Sequence, residues 1–191
     1  MTRRIGILVI IAVGVLWGLS EVFVGDVFYR FQVPMRAAVL TALGIALLVA
    51  GRLISDRPGS SLGSALIAGA LRCLMPKLYI CHFIAITLTG CAFDASWTAS
   101  KAGERHSLRR AWLSSAIAAY SGFLAFAFAG AYIFGFGRWV AAGIGGILEF
   151  GLKSGTLSTI LLAGLVPLVA FGVRRAVTVY RRSPDASSLP L

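Results

Sequence analysis

The sequence predicts an all-α, polytopic membrane protein with six transmembrane helices and both termini in the cytoplasm. Three observations carry this. The 191 residues are 58% hydrophobic and only 13% charged, a balance outside that of soluble domains of this size. The apolar residues fall in long runs separated by short polar gaps with Pro and Gly, which act as breakers. The basic residues sit in those gaps rather than in one groove-like patch, the pattern that sets topology and not the footprint of a nucleic-acid binder.

The first run, residues 5–24, holds a single charge, Glu21. Its length suits a hydrocarbon core of about 30 Å. No Ala-x-Ala site follows it and similar runs recur, so it is expected to stay as a helix rather than be removed as a signal peptide. Gly25, Asp26, Tyr29, Arg30 and Phe31 then read as an interface loop, and Pro34 is placed to open a second helix over 35–50. Arg52, Asp56, Arg57, Pro58 and Gly59 make a polar turn. A third helix is expected over 62–75 and a fourth over 78–93, separated by Pro76 and Lys77. The pair reads as two crossings, with a re-entrant hairpin or a tilted, broken crossing as the alternative.

Residues 99–110, with Lys101, Glu104, Arg105, His106, Arg109 and Arg110, form the most polar interior stretch. A cytoplasmic connection or surface helix is expected there. The fifth helix covers 111–134, a Gly-rich passage follows over 135–146, and the last apolar run covers 156–173. This gives one six-helix domain over 1–175 and a basic, disordered cytoplasmic tail over 176–191.

Charge tests that count. With a cytoplasmic N-terminus, Arg3, Arg4, Arg52, Arg57, Lys101, Arg105, Arg109, Arg110, Arg174, Arg175, Arg181 and Arg182 fall inside. Arg30, Arg36, Arg72, Lys77, Arg138 and Lys153 fall outside or at embedded helix ends, so the inner side holds twelve of the 18 basic residues. That asymmetry agrees with a multi-pass protein of the cell membrane, the inner membrane where there are two.

Helices in lipid associate through small residues that let backbones approach. Gly14 and Gly18 give the first helix such a face, and Ser114, Ala118 and Gly122 give one to the fifth. Each face suits packing inside the bundle or docking of another membrane subunit. Charged groups at membrane depth are functional candidates by default. Glu21 is placed to line a pocket opening outward, with Asp26 and Arg30 in the loop above it. The plainer reading leaves all three solvated among the headgroups. Glu149 and Lys153 face each other across one helical turn, to line the same cavity or to neutralise one another. His82 is the best imidazole for a ligand contact, and Trp17 can stack on a planar ligand or simply pack. Arg72 and Lys77 are explained by snorkelling, and Asp94 by a place at a helix end.

The odd number of cysteines, Cys73, Cys81 and Cys91, argues against a disulfide framework. Their spacing does not make a metal site, and buried small hydrophobes are their default role. No HExxH, GxSxG, Walker or dinucleotide fingerprint is present, so neither an enzyme nor a cofactor is expected. Without an ATP-binding motif, transport would need an ion gradient or a partner.

A chain of this length with six short helices, both ends cytoplasmic, a small-residue first helix and outward loops after helices one, three and five resembles the substrate-binding S component of energy-coupling factor (ECF) vitamin transporters. The run Arg57-Pro58-Gly59-Ser60-Ser61 leading into Leu62-Gly63-Ser64-Ala65 adds to the likeness. The resemblance implies a binding subunit for a vitamin or its precursor. It implies docking on a transmembrane coupling subunit with two ATPases in trans, and a place for Gly14 and Gly18 on the docking face. The chain starts Met1-Thr2-Arg3 and lacks the Met-His-His start of nickel and cobalt systems, which favours an organic ligand. The competing class is a structural or assembly subunit of a larger membrane complex. An outward cavity lined by Glu21, His82, Glu149 or Lys153 would favour the first class, and helices packed solid would favour the second.

Overall fold

The computed structural model describes residues 3–74, 80–100 and 108–182. They form α1 (Arg3–Leu19), a π-helical turn (Ser20–Val24), α2 (Gly25–Arg30), α3 (Arg36–Ile54), α4 (Ser60–Cys73), α5 (Ile80–Ala99), α6 (Leu108–Phe128), a second π-helical turn (Ala129–Ile133) and α7 (Gly137–Arg182). The described residues contain no strand. The chain is an all-helical membrane-type protein.

Close approaches at glycine fix the directions of the helices. A Cβ on Gly14 would lie 2.7 Å from Ile67, and one on Gly18 would lie 3.2 Å from the Ala68 backbone, so α1 and α4 run parallel. Gly44 of α3 receives the Trp17 indole and Gly51 receives Val13, so α3 runs antiparallel to α1. Asp94 meets Gly59 and Phe83 meets Gly69, which turns α5 back along α4. Gly122 against Thr89, then Gly151 against Leu124 and Gly155 against Tyr120, continue the alternation through α6 and α7. α7 closes the ring on α3, where the Ser158 hydroxyl donates to the Ala38 carbonyl at 2.9 Å. Lipid supplies little hydrophobic drive between helices, so these glycine contacts maximise dispersion where it matters.

Among the described residues, five helical stretches are long and apolar enough to cross a membrane: Arg4–Arg30, Arg36–Ile54, Ile80–Ala99, Leu108–Ile133 and Gly137–Val179. The expected sixth, α4, has 14 residues, about 21 Å of helix against a core of about 30 Å. It fills the return path between α3 and α5, flanked by α1.

Other boundaries also differ from expectation. The first helix continues through the π turn to Arg30, so Asp26 and Arg30 are helical rather than in a loop. α3 starts at Arg36, after Met35 at a left-handed φ of 57°, and not at Pro34. α7 starts inside the Gly-rich passage, with non-helical backbone at Gly143 (φ 61°, ψ −174°). Only glycine holds that conformation without strain. α7 then runs past residue 175 to Arg182, so the first part of the expected tail continues the helix. Pro76, Lys77, Lys101, Glu104, Arg105, His106 and the tail over 183–191 lie outside the described residues.

The bundle has two unlike ends. At the end holding the start of α1 and the ends of α3 and α5, Arg52 is only 1% exposed. It lies 3.2 Å from Asp94 and 3.7 Å from Asp56 and donates to Thr98 Oγ1 at 3.1 Å. Trp97 Nε1 donates to Asp56 at 2.8 Å, while Arg110 donates to the Trp97 carbonyl through Nε at 2.7 Å and covers the indole at 4.8 Å. Asp94 also accepts from the Gly59 N–H. This network ties α3, α5, α6 and the start of α4 into a plug.

Candidate functional site

The other end is open. Between the C-terminal part of α1, the π turn and α2 on one side and α3, α5 and α6 on the other lies a cavity of about 740 Å³. Each wall follows from local sequence. Trp17 and Glu21 are four residues apart, and the wider π turn at Ser20–Val24 carries Glu21 towards the cavity. Such turns often occur at functional sites. Trp17 Nε1 donates to Glu21 Oε1 at 3.4 Å, and the indole is 1% exposed against Gly44. Glu21 is half-buried, and Arg72 at the end of α4 acts on it electrostatically.

α5 contributes His82, Ala85, Ile86 and Thr89 from successive turns of one face. The His82 ring meets Phe126 edge-on at 5.0 Å. Phe123 and Phe126 from α6 and Phe150 from α7 complete an aromatic wall. Trp139 braces it from behind, 4.7 Å from Phe150 and 6.2 Å from Phe126. The bend at Gly143 lies between Trp139 and Phe150 on the same helix.

The mouth is polar. Asp26, Tyr29 and Arg36 line it, with Arg36 held 4.9 Å over the Tyr29 ring. The reversal between α2 and α3 carries two non-glycine residues in the left-handed region, Gln32 (φ 49°) and Met35 (φ 57°). That is the kind of backbone cost which persists where a loop must keep one shape.

Four of the residues expected at a site come together here: Trp17, Glu21, Asp26 and His82. Arg30 is not on the wall. It pairs with Asp26 at 2.8 Å on the outer surface, the two side chains 73% and 54% exposed. Glu149 and Lys153 pair with each other at 2.5 Å, 62% and 70% exposed, and only their neighbour Phe150 reaches the cavity. Of the two readings of this spacing, mutual neutralisation is the one adopted. Gly14 and Gly18, expected to dock a partner, are buried against Ser64, Ile67, Ala68 and Leu71 of α4. The chain itself occupies that face.

The comparisons with known proteins give no relative. The chain matches no protein-family model, no curated protein and no solved structure.

Sequence reasoning missed Arg36, Tyr29 and the three phenylalanines, and assigned Arg72 to snorkelling alone. A usable signal existed for the arginines: each stands at the end of an apolar helix that points to the same end of the bundle as Glu21. The phenylalanines carried none, since Phe123 and Phe126 read as ordinary helix packing. The cysteines are free, with Cys81 buried, Cys73 half-buried and Cys91 exposed.

Proposed function

We propose that this chain is a membrane-embedded substrate-binding subunit for uptake of a small organic molecule, a vitamin or its precursor, energised by a separate ATPase module. In this reading it sits in the cell membrane with six crossings and both termini cytoplasmic, as the resemblance to ECF S components implies. The cavity is the observation that carries it. Its volume of about 740 Å³ lies within the range of small-molecule sites, which are mostly apolar with a few converging polar groups. The plug at the opposite end supports one-sided access.

The distribution of charge supports the orientation. Arg4, Arg52, Arg57, Arg109, Arg110, Arg174 and Arg175 belong to the plugged end, which makes it the cytoplasmic side under the positive-inside rule. The cavity then faces outward. A bundle packed solid from end to end would have favoured the structural-subunit reading, and the open end weighs against it. Because α4 covers Gly14 and Gly18, a coupling subunit in trans has to use other surface of this chain, such as the outward apolar residues Leu8 and Leu16 of the first helix.

Native mass spectrometry after mild purification tests the proposal. The expected result is a small molecule bound at one per chain, with a membrane partner retained at fixed stoichiometry. A chain that carries neither, from cells supplied with vitamins, contradicts it.

A further inference from the structure

We infer that the cavity takes a flat aromatic body bearing a single negative charge, an aromatic carboxylate in chemical class. This rests on the reading of the cavity as a substrate site and narrows it.

The charge follows from the walls. Among the described residues the lining holds two carboxylates, Glu21 and Asp26, and two guanidinium groups, Arg36 and Arg72. Asp26 is already paired with Arg30, which lies outside the lining. Counting Arg30 with its partner leaves one positive charge over. Neither Arg36 nor Arg72 has a described carboxylate within 4.0 Å. Arg36 has the Tyr29 ring as its neighbour instead, an arrangement that leaves the planar fork of donors available for a bidentate carboxylate. A half-buried guanidinium without a counter-charge is costly, and an anionic ligand relieves that cost.

A cation finds no equivalent place. Glu21 accepts from Trp17 and feels Arg72, and Asp26 is held by Arg30. The aromatic body follows from the inner wall, where Phe126 and Phe150 are half-buried beside Phe123. Rings of this kind favour offset or edge-on contact with another ring.

Calorimetry on the full-length protein in mild detergent tests this with three probes of one shape: 2-naphthoate, neutral 2-naphthalenemethanol and 2-naphthylmethylammonium. Naphthoate is expected to bind at least about tenfold more tightly than either of the others. Arg36→Gln is expected to erase that preference while leaving the neutral probe unchanged, and Glu149→Gln, on the outer surface, to leave all three unchanged. Arg72→Gln serves where Arg36→Gln does not fold, as judged by its melting temperature.

Equal or tighter binding of the alcohol or the ammonium overturns the inference, and so does a naphthoate preference that survives loss of the arginine. Should none of the three bind, the aromatic-anion class is wrong. A small molecule of another class found by native mass spectrometry would then leave the substrate-site reading standing, and an empty chain would remove both. An anionic phospholipid in the cavity also overturns the inference.

Discussion

Arg52 shows how much one residue organises. The residue is only 1% exposed at the plugged end of the bundle, where its guanidinium meets Asp94, Asp56 and Thr98. Arg52→Ala leaves Asp94 without its cation, while Asp56 keeps Arg110 at 3.8 Å. Removal of one partner of a buried pair costs about 3–5 kcal/mol. Thermal unfolding in detergent is expected to show a marked loss of melting temperature, with Arg52→Lys intermediate because ammonium replaces the charge and not the fork. An unchanged melting temperature in Arg52→Ala would mean that the plug is ornamental. The sequence allowed Arg52, Asp56 and Asp94 to be seen one by one, as a polar turn and a helix-end acid. It did not allow the cluster to be seen, because Arg52 and Asp94 are separated by α4 and by most of α5.

Between elements, the contact of α1 with α4 separates packing from docking. Gly14→Leu would drive a side chain into the Ser64 carbonyl, which lies 2.8 Å from the position of a first Cβ. Overpacking of this kind costs about 1–3 kcal/mol. Ala12→Leu, at an exposed position on the same helix, is expected to be neutral. The pair compared by melting temperature therefore distinguishes an internal face from an outer one. A destabilised Ala12→Leu beside a tolerant Gly14→Leu would reverse the assignment. The helices themselves were legible from run length, and so was the presence of a small-residue face on α1. Its partner was not, since a glycine spaced for close approach carries no label for what approaches. The π turns at Ser20–Val24 and Ala129–Ile133 were not legible either. Both lie within apolar runs where an added residue per turn leaves no compositional trace.

The whole molecule is a ring of helices, plugged at one end and hollow at the other. Its sidedness is open to test by cysteine labelling in a background lacking Cys73, Cys81 and Cys91. Phe31→Cys, Leu74→Cys and Arg138→Cys, at exposed positions of the cavity end, are expected to react with an impermeant maleimide in intact cells. Pro58→Cys and Arg109→Cys, exposed at the plugged end, are expected to react only after lysis. Opposite labelling of Pro58→Cys and Leu74→Cys would establish that the short α4 carries the chain across. Labelling of both from one side would make it a re-entrant element and overturn six crossings. The excess of charge at one end was readable from sequence. The hollow was not, because Trp17, His82 and Phe126 each have a packing reading of their own until they meet across a void.

The void is the place proposed for a ligand, and filling it tests that proposal at its source. Ala85 stands on the α5 wall of the cavity, and Ala85→Phe would project a ring into it while leaving the plug untouched. Bound small molecule per chain, measured by native mass spectrometry in wild type and in Ala85→Phe of equal melting temperature, decides the matter. Occupancy near one falling to near zero in the filled variant is the predicted result. Equal occupancy in the two, or none in either, would contradict it.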